Sequence, residues 1–299
     1  MKLDPYKNKE SYLKWKNKSK EIPNIGDINS NLIKQYLNDM ENGINVSTTN
    51  KKGARSYARL NSLKNRMIFL AKNFKEMFNV NILEIKEEQL FNLFTSMRNG
   101  EIRKKNGEMY KSVRDYVQTF KAFWHWYQKV NKKKGNTIED ITLDLDTSRE
   151  KPEWVYLTEE QVKILSNNAK YFYKVLIIFL FDTGIRSPSE LINIKISDIF
   201  DFKELHIREE ISKTFGRRIK LMLCSEILRE YVKENKLKKD DYLFKLNPSV
   251  ANRYLKRLGK RVFGDEKSLA GEKYSEITMY DFRHISCCYW LPRYKSESA

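Results

Sequence analysis

Cysteine and histidine are both scarce in this 299-residue chain, with three of each. Cys224, Cys287 and Cys288 are odd in number and two of them are adjacent, which excludes a disulfide framework and fits a reducing compartment. His125, His206 and His284 fall into no zinc-ligand spacing, so the sequence offers no metal site. The one local cluster, His284 with Cys287 and Cys288, reads as core packing. Long apolar runs are missing too. The longest, Val175 to Phe181, has seven residues, against about 20 needed to span a bilayer, and reads as a buried core segment. Met1-Lys2-Leu3-Asp4-Pro5 leads into lysines rather than an apolar stretch, so no signal peptide is expected and a cytoplasmic protein is. The chain has no internal repeat and no low-complexity tract.

Negative charge is the other deficit. There are 39 Asp and Glu against 57 Lys and Arg, a net charge of +18. An apolar fraction of 40% with 13% aromatics is enough to build cores, which excludes general disorder. The unbalanced positive charge calls for a polyanion, and nucleic acid is the commonest, because each neutralised phosphate releases counterions.

The length suggests about two domains. Composition shifts between Lys132 and Pro152, where lysines and Gly135 give way to polar and acidic residues, and this stretch reads as a linker. The expected division is a basic N-terminal extension (1–20), a helical domain (21–133), a linker (134–154) and a second domain (155–299). In the helical domain Leu60, Leu63, Met67, Leu70, Phe74 and Phe78 recur at helical spacing. Opposite them, Lys51 to Lys75 carries only positive charge: Lys51, Lys52, Arg55, Arg59, Lys64 and Arg66, then Lys72 and Lys75. A solvated helix face normally mixes signs, so these side chains are candidates for phosphate contact. A second helix places Val113, Val117, Phe120, Phe123 and Trp124 on one side and Lys111 and Arg114 on the other. Ile85 to Met97 gives a further amphipathic helix.

The second domain mixes elements. Thr158 with Gln161 forms a capping box, and Tyr171 to Phe181 a buried helix. Leu205 and Ile207, then Ile219, Leu221 and Leu223, alternate with polar residues around a turn at Ser212 to Gly216, which predicts a β-hairpin. Helices follow at Ser225 to Asn235, Ser249 to Phe263 and Thr278 to Trp290. The middle one carries a basic stripe that includes Arg253, Arg257 and Lys260. In Thr183-Gly184-Ile185-Arg186-Ser187-Pro188-Ser189-Glu190-Leu191, Ser187 reads as an N-cap, Pro188 as the first helical residue and Glu190 as the closing capping-box member. Arg186 would then share an anion site with free helix N–H groups. A salt bridge near the cap accounts for it equally well.

That segment resembles the first arginine box of the tyrosine recombinases, the phage-integrase and Xer family, and Ile-Lys-Ile-Ser-Asp-Ile (194–199) is similar to the strand entry that follows it. Met279-Tyr280-Asp281-Phe282-Arg283-His284 resembles the second box, His-x-x-Arg-His. The resemblance covers about residues 20 to 299. It implies a mostly α protein with a small β-hairpin or sheet: a helical core-binding (SAM-like) domain and a catalytic domain that together form a C-shaped clamp around DNA. It makes Arg186 and Arg283 the catalytic arginines and puts Tyr280 where the family has a histidine, with a phosphate-positioning role. Lys213, on the hairpin turn, matches the catalytic lysine, with Lys220 as its competitor. His284 becomes a structural histidine, buried and bonded to backbone, and Glu190 a structural acid.

The implied activity is site-specific DNA recombination. A tyrosine attacks a phosphodiester to give a 3′-phosphotyrosyl link, the arginines stabilise the transition state, and neither metal nor cofactor is needed. Its partners are double-stranded DNA sites and, for the complete protein, three further copies in a tetramer. The family's nucleophile lies well beyond the second box, and Tyr289 and Tyr294 come too early to be it. The chain is therefore expected to be C-terminally truncated, monomeric and able to bind DNA without cutting it. A non-catalytic DNA-binding regulator on the same fold is the alternative. Type IB topoisomerases and RNA-binding proteins are weaker matches.

Overall fold

The computed structural model describes residues 3–18, 21–44, 53–148 and 151–294. The chain forms two compact units, one of Lys7–Lys151 and one of Pro152–Ala299 with Met1–Tyr6.

The first unit is all helical: α1 (Asn8–Lys18), α2 (Gly26–Glu41), α3 (Tyr57–Phe78), α4 (Glu87–Arg98) and α5 (Val113–Lys132). Ser56 caps α3 by accepting from the Arg59 N–H at 3.4 Å, and Asn79 ends it in the left-handed region at φ 53°. Leu60, Leu63, Met67, Leu70 and Phe74 are buried, as the periodicity predicts, against Phe120 and Phe123 of α5 and Tyr36 of α2. Most of two segments expected outside this domain, 7–20 and 134–151, belongs to it. Within the supposed N-terminal extension, α1 buries Tyr12 to 1% exposure and sets it 5.8 Å from Tyr57 of α3. The supposed linker is packed along α5, with Thr142 and Leu145 buried. Side chains of α5 satisfy its carbonyls: Trp124 Nε1 donates to Glu139 O at 2.8 Å, and Lys121 Nζ to Thr142 O at 2.6 Å.

The second unit holds α6 (Glu159–Asn167), α7 (Tyr171–Thr183), β1 (Ile199–Phe200), β2 (Glu204–Ile207), β3 (Arg217–Lys220), α8 (Ser225–Glu234), α9 (Pro248–Phe263) and α10 (Asp281–Tyr294). The Thr158–Gln161 capping box forms as predicted. The strands make an antiparallel sheet in the order β1-β2-β3, with Leu205 opposite Ile219 and Ile207 opposite Arg217. The architecture is thus mostly α with a small sheet.

Helix α7 runs through the core, with Val175, Leu176, Ile177, Phe179 and Leu180 fully buried. Its C-terminus organises what surrounds it. Asp182, 3% exposed, accepts through Oδ2 from the N–H groups of Met222, Leu223 and Cys224 at 2.9, 2.9 and 3.0 Å. Those donors are withdrawn from any ladder, which is why the strand stops at Lys220 instead of continuing through Leu223. Gly184 ends α7 at φ 54°, and a Cβ there would lie 2.9 Å from Ser286 Oγ of α10. In α10, Cys287 and Cys288 are exposed, not core.

Among the described residues no helix is long and apolar enough to cross a membrane. Replacing Asp182 with Ala strands three N–H groups around a buried site, and should cost about 3 kcal/mol in urea unfolding. Asp182→Asn, which keeps one acceptor, should cost less. Equal losses in the two variants contradict this role.

Candidate DNA phosphate site

The predicted helix start at Ser187 is not there. The Ser187–Pro188 peptide bond is cis, turns run from Ser187 to Glu190, and a short 3-10 helix follows over Leu191–Asn193. The backbone bonds are mixed in step: Glu190 and Leu191 N–H both reach Arg186 O, while Ile192 reaches Pro188 O. Ser187 Oγ is buried without a partner among the described residues, so it caps nothing. An anion site made from helix N–H groups is therefore excluded here.

A side-chain clamp replaces it. Glu190 is fully buried and binds two arginines. Its Oε2 accepts from the Arg186 backbone N–H at 3.0 Å and its Oε1 from Arg186 Nη1 at 2.9 Å. Arg217, on β3, donates Nη1 to Oε1 at 3.0 Å and Nη2 to Oε2 at 2.7 Å, a bidentate pair. Burial by itself raises the Glu190 carboxyl pKa, but the bonds from Arg217 and Arg186 prevail and bring it down to about 2. Two guanidinium groups and one carboxylate leave the cluster with a net positive charge. Arg186 keeps Nε and Nη2 without a protein partner among the described residues.

The hairpin turn is tied to the same arginine. Arg186 Nη1 lies 3.5 Å from Ser212 Oγ and 3.3 Å from Thr214 Oγ1, and exposed Lys213 sits between those two residues. Arg283, in the first turn of α10, donates Nη1 to the carbonyl of Gly184 at 2.7 Å. The α7 terminus thus fixes Arg283 directly and carries Arg186 two residues later. Lys220, the competing lysine, is on β3 and lines an open cleft of about 650 Å³ together with Arg217, Arg218, Arg283 and Tyr294.

Tyr280 is 54% exposed, with its ring 5.4 Å edge-on to that of His284. His284 departs from expectation: it is half-buried, and its ring packs against Trp154 at 5.0 Å. The backbone contacts expected of it are made by Asp281, which is buried and accepts from Val155 N–H at 3.1 Å and Thr278 N–H at 2.7 Å. Tyr289 packs against Phe181 at 4.7 Å and beneath the Arg293 guanidinium at 3.6 Å.

The other candidate basic residues divide. Lys51 and Lys52 lie outside the described residues. Arg59 and Lys111 are exposed, and Arg55 is half-buried. Lys64 is a correction: it is 9% exposed, covered by Trp15 of α1 with Nζ 5.2 Å from the ring centroid, and burial pushes its pKa down. Arg66 is paired with Asp115 at 2.6 Å, and Arg114 donates to Thr147 O at 2.8 Å, so both bind within the unit. On α9, Lys260 pairs with Asp265 at 3.0 Å, while Arg253 and Arg257 are exposed without an acidic partner among the described residues.

Arg217 and Asp182 escaped the sequence reading. The only signals were a second arginine just past the turn and an acid closing an apolar run.

The Glu190 carboxyl sits below its ordinary value of 4.5 when folded. Its contribution is therefore full above about pH 4.5 and is lost as pH falls through about 2. At pH 6, wild type should exceed Glu190→Gln by about 3 kcal/mol in chemical unfolding. That margin should shrink between pH 4.5 and 2, and a constant margin contradicts the clamp.

No protein-family model matches the chain. In sequence it is similar to the tyrosine recombinase XerA of Saccharolobus solfataricus, 26% identical over 207 residues, and the match spans 64% of this chain and 64% of that relative's length. In structure it is similar to the Tn1549 transposon integrase solved with circular intermediate DNA, with a TM-score of 0.61, 16% identity and 89% of each chain covered. It is also similar to a lambda integrase tetramer bound to a Holliday junction, with a TM-score of 0.60 and 13% identity over 94% of this chain and 80% of that one. The chain thus resembles a tyrosine recombinase in sequence and shares the fold of the solved integrases.

Proposed function

We propose that the chain is the DNA-binding and phosphate-holding part of a site-specific recombinase that cuts and rejoins DNA through a 3′-phosphotyrosyl intermediate. One observation carries the reading: Arg186, Arg283 and the Lys213 turn are all fixed to the end of α7 or to each other, and both arginines keep donors without a protein partner among the described residues. Pre-oriented guanidinium groups suit the non-bridging oxygens of a phosphodiester whose charge grows in the transition state.

In this reading Arg186 and Arg283 hold those oxygens, Lys213 protonates the leaving 5′-oxygen, and the exposed Tyr280 hydroxyl bonds to the phosphate. Exposed basic side chains of both units, among them Arg59, Lys111, Arg253 and Arg257, make sequence-independent contacts along the duplex. The bond energy is kept in the covalent link, so the residues need neither metal nor nucleotide cofactor. On DNA the recombinase works in the cytoplasm as a homotetramer.

The chain itself is monomeric and binds without cutting. Tyr289 is held in ring contacts, and the Tyr294 ring, at the end of α10, packs on Trp290 at 5.5 Å. The same packing favours a second reading, a DNA-binding regulator with no cleavage step.

Two outcomes are expected. In fluorescence anisotropy with duplex DNA, affinity should fall at least a hundredfold between low and physiological salt, and reversing Arg253 and Arg257 to Glu should flatten that slope. Salt-independent binding contradicts the reading. On nicked suicide duplexes the chain should give no covalent adduct on a denaturing gel; an adduct that Tyr294→Phe abolishes would make Tyr294 the nucleophile and overturn the non-cutting assignment.

A further inference from the structure

We propose that Phe215, at the tip of the β2–β3 hairpin, is a wedge that stacks on an unpaired base of the bound DNA beside the phosphate held by Arg186 and Arg283. The inference rests on the DNA reading above and adds a base contact to it. The ring is 82% exposed and pairs with no other aromatic side chain among the described residues. Large apolar side chains this exposed are left so at a cost, and a single one is unremarkable on an ordinary surface. This one stands on a tip that the structure holds in place.

One carboxylate fixes the tip from both sides. On the way in, Ser212 Oγ donates to Glu190 Oε1 at 3.2 Å and accepts from the Thr214 N–H at 3.2 Å. On the way out, Arg217 holds both Glu190 oxygens. Between them Gly216 passes so close to Ile207 O that a Cβ would lie 2.9 Å from it. These contacts hold the backbone on both sides of Phe215, whose ring stands exposed to solvent.

The surroundings select the partner. Exposed Lys213 and Arg218 lie two residues before and three residues after Phe215 in the chain. The desolvated centre of a protein–protein interface is depleted of charge, so such a tip suits it poorly. Nucleic acid matches both parts: the cations meet phosphates and the ring meets a base face. In an intact duplex each base face is covered by its neighbours, so the ring gains most where a base is unpaired. The same Glu190 that positions Arg186 then sets the distance between phosphate and wedge.

The test compares two fluorescein-labelled duplexes of one length and backbone, one fully paired and one with a short central mismatch bubble. Wild type should bind the bubble about tenfold more tightly. Phe215→Ala should bring that ratio to about one, and Phe215→Trp should keep it. A 2-aminopurine placed in the bubble should be quenched by wild type and not by Phe215→Ala. The residue is exposed, so truncation leaves no cavity, and an unchanged circular dichroism spectrum confirms the fold. Equal affinity of wild type for both duplexes, or a ratio that survives in Phe215→Ala, overturns the wedge and leaves the DNA reading standing. Failure of wild type to bind either duplex overturns the DNA reading itself.

Discussion

A buried acid between two arginines is the constraint on which the rest of the second unit's site depends. Glu190 has no solvent, so its charge is tolerable only if the bonds from Arg186 and Arg217 stay in place. Each partner comes from a different part of the fold, one from the segment leaving α7 and one from β3. The sheet is thereby locked to the helix by an ionic pin, and the hairpin turn between them inherits its position. A lysine or glutamine at any of the three positions would keep polarity but lose the fork-to-fork geometry that makes the pin directional.

The end of α7 does comparable work by other means. Asp182 terminates β3 by taking the three N–H groups beyond it, Gly184 lets the chain turn under α10, and the Gly184 carbonyl receives Arg283. One short stretch, from Asp182 to Arg186, thus gathers sheet, helix and both arginines. An apolar helix whose C-terminal half is almost wholly buried is a rigid base for such a cluster, because close packing sets its position.

Much of this was legible in the sequence where a single local rule decides. The 3.6-residue spacing from Leu60 to Phe74, the Thr158–Gln161 box and the alternation about Leu205 and Ile219 all became the elements they predict. The motifs single out Arg186 and Arg283 as positions, and the structure adds the partners of each side chain. Errors arose where a tertiary partner outbid a local signal. Ser187-Pro188-Ser189-Glu190 has the composition of a helix start, yet Glu190 is claimed by two arginines, one of them remote in sequence. Lys64 belongs to a one-signed stretch, yet α1 covers it, and nothing in the stretch itself announces α1. His284 was expected to be a buried, bonded residue, but Asp281, three positions earlier, makes those contacts.

The most direct measurement is a crystal structure of this chain bound to a short DNA duplex. The guanidinium groups of Arg186 and Arg283 should lie on the same phosphate, with Lys213 on the neighbouring 5′ side and Glu190 still bridging Arg186 and Arg217 beneath them. A duplex bound elsewhere, or a complex in which Glu190 releases Arg186 and the two arginines contact different phosphates, contradicts that arrangement.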